Sequence, residues 1–187
     1  MFANIEPQTT FKNQIRRTTP DCSEVVGQVL RVMVSDEDLL RIAVEEAKIG
    51  IRAGHGGPFG CVIAKDGVIH GRGHNRVLVD NDPTAHGEIT AIRDTCRELG
   101  TIDLSDFTLY TSSEPCPMCK AAICWAKVGR VVYAASMEEA NDILGFKDLR
   151  MTRAMENGED LTQSERIHVE GYLEPFEEYR DMQGRIY

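Results

Sequence analysis

The sequence predicts an α/β fold: a three-layer α/β/α sandwich around a central five-stranded mixed sheet. Three observations predict it. Segments of strand character alternate with segments of helical apolar spacing, which puts helices on both faces of a sheet. Two of the strands meet across Asp66-Gly67, a two-residue hairpin turn that makes them antiparallel, whereas helices separate the remaining strands. Finally, 187 residues with 42% hydrophobic and 27% charged composition suit one globular domain with a real core.

Taken in order, residues 1–34 read as an N-terminal extension and residues 35–187 as the domain proper. Thr9, Thr10, Arg16, Arg17 and Pro20 suggest irregular chain, while Val25, Val26, Val29, Leu30, Val32 and Met33 suit a short element packed on the core or on a partner subunit. Ser35 followed by Asp36, Glu37 and Asp38 is a helix start, with an N-cap hydroxyl and acids at the positive dipole end. Leu39, Ala43 and Ala47 then recur at helical spacing until Gly54 and the Gly56-Gly57-Pro58 cluster stop the helix. Phe59–Lys65 and Val68–Asn75 are the hairpin strands, and a loop carries Asp80 to Pro83. His86–Leu99 reads as a helix closed by Gly100, and Phe107–Thr111 as the third strand. Pro117 suits the first turn of a helix reaching Trp125, followed by a fourth strand at Val131–Ala135 and a short helix at Met137–Leu144. Residues 149–163 read as polar and mobile, Ile167–Leu173 as the fifth strand, and Pro175–Gln183 as a last helix.

Chemistry concentrates in two stretches, Asp82-Pro83-Thr84-Ala85-His86-Gly87-Glu88 and Ser113-Glu114-Pro115-Cys116-Pro117-Met118-Cys119. One imidazole and two thiols make three ligands, one short of a closed structural zinc site, so His86, Cys116 and Cys119 are candidate ligands of a zinc ion that keeps a position for water. Both motifs open a helix, where the dipole favours thiolate. Glu88, two residues beyond His86, is off the face His86 occupies and can reach round to shuttle protons. A Cys-x-x-Cys pair also occurs in redox proteins and structural zinc knuckles, but redox chemistry needs no His-x-Glu and no second Cys-x-x-Cys is present to complete a knuckle. His55, His70, His74 and His168 lack comparable neighbours and read as surface or satisfied-core histidines; Cys22, Cys61, Cys96 and Cys124 read as buried or half-buried hydrophobes. Phe59, Trp125 and Phe146 are flat rings able to stack on a planar substrate, with apolar core as their ordinary role.

A net charge of −9 (21 basic against 30 acidic residues) argues against a nucleic-acid partner, and no stretch approaches the length of a membrane span. The first twenty residues contain no apolar secretory core, so a cytoplasmic location is expected.

The His-x-Glu…Pro-Cys-x-x-Cys pattern marks zinc nucleobase deaminases. From about Asp36 to Tyr187 the chain resembles the cytidine-deaminase-like superfamily, and within it the small bacterial guanine deaminases. The resemblance runs through Gly56-Gly57-Pro58-Phe59-Gly60, Asn81–His86, Ala91-Ile92-Arg93, Leu109–Ser112, Glu114–Cys119 and Gly145-Phe146. It implies a cytidine-deaminase-like fold, Zn2+ on His86, Cys116 and Cys119, Glu88 as proton shuttle, and Asn75 hydrogen-bonded to the purine. It further implies that Asp148 and the terminal Tyr187 complete the pocket in a domain-swapped homodimer. The expected activity is hydrolysis of a free purine base, guanine to xanthine and ammonia. Cytosine, guanosine or a pterin is the alternative substrate, and an inactive zinc-binding interaction protein the alternative of another class. Two departures stand out: Gly87 where the family usually has alanine, which bears on pocket size, and Lys147 where an acid is common.

Overall fold

The computed structural model describes residues 34–146, 148–159 and 161–186. Helix α1 (Asp36–Arg52) starts as its sequence predicts: Asp38 N donates to Ser35 Oγ at 3.1 Å, and Ser35 N donates back to Asp38 Oδ2 at 3.2 Å, a reciprocal capping box. Strands β1 (Gly60–Lys65) and β2 (Val68–His74) follow. Their turn residues Asp66 and Gly67 both take positive φ, 52° and 76°, the backbone a two-residue hairpin requires. Then come α2 (Val77–Asp80), α3 (Gly87–Leu99), β3 (Thr108–Ser113), α4 (Pro117–Trp125), β4 (Arg130–Ala135), α5 (Met137–Leu144), α6 (Asp148–Glu156) and α7 (Glu174–Asp181).

The sheet order is β2-β1-β3-β4, with β1 antiparallel to β2 and β3, and β3 parallel to β4. Alternation along β1 and β3 divides the core between two faces. Cys61, Ile63 and Leu109 face Ala91 of α3 and Ile123 of α4, whereas Val62, Ala64 and Tyr110 face Leu39 and Ala43 of α1. The three layers are therefore as expected. Full burial of Ile63 and Leu109 stabilises the stack by roughly 1.5–3 kcal/mol each. A polar clasp ties α1 to the far edge: Arg130 grips Asp36 with both guanidinium nitrogens at 2.7 and 3.1 Å, and the Tyr110 hydroxyl donates to the same carboxylate at 2.8 Å.

Three expectations need correction. Among the described residues the sheet has four strands, not five. Residues 167–173 form no strand, because β propensity becomes a strand only where a neighbour supplies the ladder; Ile167, Val169, Tyr172 and Leu173 are exposed instead. The polar stretch after residue 148 is largely helical, since Ala154 is buried and Thr152 Oγ1 donates back to the Asp148 carbonyl at 2.8 Å. The loop after Asn75 contains the single turn α2, ended by Asn81 in the left-handed region.

Helices lie unusually close to the sheet at several glycines, Gly60 and Gly73 among them. A Cβ on Gly60 would strike the Ala43 carbonyl and the Ala47 amide of α1, and one on Gly73 would strike the Gly87 carbonyl and the Ala91 amide of α3. Gly73 thus fixes the distance from β2 to the helix that begins beside His86. Gly73→Ala should lower stability to urea by about 1–3 kcal/mol through overpacking. Val68→Ala, at an exposed strand end, should stay within about 0.5 kcal/mol of the parent.

Candidate active site

His86 and Cys116 occupy the same place in two helices. Each is the N-cap residue, of α3 and α4 respectively, with extended backbone and no side-chain capping hydrogen bond. Pro117 opens α4, where a missing N–H costs nothing. Freed from capping, the two side chains meet. His86 Nδ1 lies 3.6 Å from Cys116 Sγ and 3.7 Å from Cys119 Sγ, and all three donor atoms fall within 4.8 Å of one another. Zinc–sulfur and zinc–nitrogen bonds of about 2.3 and 2.05 Å at a tetrahedral angle put nitrogen and sulfur about 3.6 Å apart. The donor set and its spacing therefore fit zinc.

Both sulfurs are buried, and both lie within hydrogen-bonding reach of the ring. Cys119 donating to it, helped by His86, holds the Cys116 thiol low, while the same contact and burial push Cys119 up. The Cys116 sulfur beside it raises the His86 imidazole. Glu88 is 5% exposed, and burial pushes its carboxyl above the ordinary range. A shift in this direction makes the carboxyl more readily protonated, which suits a group that must both take and return a proton. The neighbouring Cys61 is fully buried, and burial raises its thiol so that it stays protonated.

His86, Glu88 and Cys116 line a narrow cleft. Phe59 and Phe146 form one wall, packed edge to face with centroids 5.1 Å apart. Asp148, the first residue of α6, is half-buried on the same cleft; burial, then the Cys116 charge, raises its carboxyl. Asn75 is 4% exposed and is not among the cleft-lining residues, but its N–H donates to the carbonyl of the lining residue Phe59 at 2.8 Å. Its Oδ1 accepts from Gly57 N and Val77 N, both at 3.2 Å, which fixes the amide orientation and leaves Nδ2 without a partner among the described residues.

Trp125 is placed elsewhere. It stands at the C-terminal end of α4, 72% exposed, lining an apolar groove with Ile89, Ile92 and Met118 and sharing no lining residue with the cleft. Tyr187 and Lys147 lie outside the described residues, as does Cys22. Cys124 is exposed rather than buried. A Cβ on Gly87 would point at the Phe59 carbonyl, 3.0 Å away, so the residue spaces backbone and does not widen the cleft. His55 and His74, read as lacking company, are hydrogen-bonded to each other at 2.8 Å.

Sequence reasoning missed Ser113, Met137, Ala140 and Asn141, which complete the rim, and the role of Glu114. Glu114 accepts from Lys120 Nζ at 2.9 Å and from Met137 N at 3.4 Å, bracing α5 against the cysteine loop. Lys120 first, and then the Met137 amide, hold its carboxyl low. Its place beside Pro115-Cys116 was the available signal.

Residues 33–135 match the family described as the cytidine and deoxycytidylate deaminase zinc-binding region. The guanine deaminase of Bacillus subtilis (strain 168) is 43% identical over 154 residues, spanning 81% of this chain and 98% of that protein. Its crystal structure superposes with a TM-score of 0.75 at 42% identity, covering 82% of this chain and 98% of that one. The guanine deaminase of Nitrosomonas europaea is 33% identical with a TM-score of 0.59, over 63% of this chain and 68% of that one. A related structure, in complex with 2,6-diaminopurine, is 34% identical with the same TM-score, over 63% and 65% of the two chains. Together with the three-donor site and the buried Glu88, these likenesses establish that the chain belongs to the cytidine and deoxycytidylate deaminase family.

Proposed function

We propose that this protein is a zinc-dependent aminohydrolase that converts guanine and water to xanthine and ammonia. The observation that carries the reading is the floor of the cleft: a 5% exposed glutamate beside a His-Cys-Cys cluster spaced for zinc. Similarity to guanine deaminases over 98% of the Bacillus subtilis chain supports the substrate. The 2,6-diaminopurine complex of a relative supports a free aminopurine as the ligand class.

His86, Cys116 and Cys119 would hold the ion, which supplies a Lewis acid able to activate water at neutral pH. Glu88 takes the proton of the attacking water and passes it to the ring nitrogen beside the amine-bearing carbon. It then takes the second proton from the newly added hydroxyl and passes it to the departing amine, so the C=O bond forms as the C–N bond breaks and ammonia leaves. Phe59 and Phe146 stack on the flat ring, and Asn75 Nδ2 and Asp148 orient its polar edge. An analogue that leaves those buried groups unpaired is rejected strongly.

The proposed assembly is a homodimer in which each C-terminal segment crosses to the other subunit. Strand β4 has β3 on one side and no described strand on the other, and its Val131 and Tyr133 are exposed. The exposed alternating run Ile167–Leu173 suits that edge, giving the fifth strand and carrying Tyr187 to the partner's cleft. Residues 1–34 are an extension to the 35–187 catalytic domain, and the unpaired thiols suit a reducing cytoplasm.

Ammonia release should be seen with guanine and not with guanosine, cytosine, adenine or pterins; turnover of another heterocycle with guanine inert would reassign the substrate. Glu88→Gln should keep full zinc and lose about 10²–10⁴-fold in kcat. Cys119→Ala should abolish stoichiometric zinc by metal analysis. Deleting Tyr187 should cut kcat/KM about tenfold or more with zinc retained, and an unimpaired truncation would sink its role.

A further inference from the structure

The hairpin brings together two histidines nineteen residues apart, and a third group completes the arrangement. Glu46, on α1, is 8% exposed, and Arg72 donates to its Oε1 at 3.1 Å. Its Oε2 lies 3.6 Å from His74 Nδ1, at the end of β2. That is longer than a hydrogen bond, but the nearby negative charge favours the tautomer protonated at Nδ1, with Nε2 as the acceptor. His55 Nδ1 lies 2.8 Å from that Nε2 and therefore donates to it. The His74 ring is held in place by packing: a Cβ on Gly50 of α1 would come within 2.8 Å of it. Carboxylate, imidazole and imidazole thus stand in a line, with the tautomer of each ring set by its neighbour.

The line ends on the loop that builds the cleft wall. His55 is followed directly by Gly56 and Gly57. Gly57 N donates to Asn75 Oδ1 at 3.2 Å, and Asn75 N donates to the Phe59 carbonyl at 2.8 Å. A Cβ on Gly57 would touch the rings of both Phe59 and Phe146, each at 3.1 Å. On its other side, the His55 carbonyl accepts the Leu78 and Val79 amides at 3.0 and 3.1 Å, so the same residue holds α2. Three fixed points, at His55, Gly57 and Phe59, leave the loop one path. The His55 backbone is also held by its N–H, which donates to the Gly50 carbonyl at 3.0 Å; what the imidazole adds is a side-chain restraint directly before two glycines.

We propose that the Glu46–His74–His55 relay is a positioning device for heterocycle binding: it fixes the Gly56–Phe59 loop, and through it the aim of Asn75 Nδ2 and the Phe59 ring. The identity of the ligand rests on the guanine reading above. His55 and His74 are positioning residues, touching neither the metal ligands nor Glu88. Their loss therefore acts on binding and leaves the proton chemistry intact.

Steady-state kinetics of the zinc-loaded full chain test this with His55→Leu and His55→Asn. Asparagine carries its Nδ2 donor the same number of bonds from Cα as the histidine Nδ1. His55→Leu should raise KM for guanine about 3- to 10-fold, the worth of one net hydrogen bond, with kcat within about twofold and zinc unchanged. His55→Asn should restore KM. Equal losses in kcat and zinc content without rescue by asparagine would make the histidine merely structural, and an unchanged KM in His55→Leu would overturn the proposal. Imidazole nitrogen NMR of the parent gives a reading independent of substrate. His74 should show a protonated Nδ1 and an accepting Nε2, and His55→Leu should shift that Nε2 signal. A His74 Nε2 indifferent to the substitution would overturn the relay even where no purine is turned over, an outcome that by itself removes only the guanine reading.

Discussion

Two helices begin at one point, and the structure depends on how closely they are held there. Each helix N-terminus presents unpaired amides and the positive end of a dipole, which favours thiolate over thiol. Placing His86 and Cys116 at the two N-caps aims both donors into the same small volume, with Cys119 one turn into α4. The separation of 3.6 Å is set from beneath, by Gly73 pressed on α3 and by Ile63, Leu109, Ala91 and Ile123 packed between sheet and helices. A shift of either helix by a fraction of an ångström would spoil a tetrahedral site. The apolar core is therefore part of the metal chemistry.

The cleft is assembled differently on its two sides. Its floor belongs to the buried stack, whereas its rim comes from Ser113 at the end of β3, Asn141 on α5, and Phe146 and Asp148 beyond it. Glu114 joins the two, because one carboxylate engages Lys120 beside the cysteines and the Met137 amide at the start of α5. From Leu161 onward nearly every described residue is exposed, the apolar Ile167, Val169, Tyr172 and Leu173 among them. The proposed function thus assigns reaction type to the buried layer and substrate choice to the more exposed one.

What the sequence made legible follows the range of the interactions. The Ser35–Asp38 capping box, the Asp66-Gly67 turn and Pro117 at a helix start are local, and each is where its residues predict. The zinc donors were legible because their chemistry is rare and their motif dense. Residues 148–156 were not: their helix has one buried side chain, Ala154, and too little apolar periodicity to announce itself. The 167–173 run shows the opposite error, strand propensity with no ladder among the described residues. Trp125 misled because aromaticity marks stacking capacity and says nothing of direction. The His55–His74 bond was invisible for a plainer reason, since only the folded hairpin turn makes residues nineteen apart neighbours.

Gly87 looked like a change in pocket volume, and its geometry says otherwise. Its missing Cβ would face the Phe59 carbonyl at 3.0 Å, closer than most side chains tolerate, and that carbonyl already accepts the Asn75 amide at 2.8 Å. Alanine there would push on an oxygen engaged in holding the cleft wall. Glycine relaxes that pressure and lets the Gly56–Phe59 loop sit nearer α3, at some cost in helix stability. The substitution and the His55 anchor therefore act on the same short loop from opposite sides, one making room and the other fixing position. Where such a loop also carries the ring that covers the substrate, a change of one methyl group in the backbone spacing can alter selectivity without any residue in the cleft being exchanged.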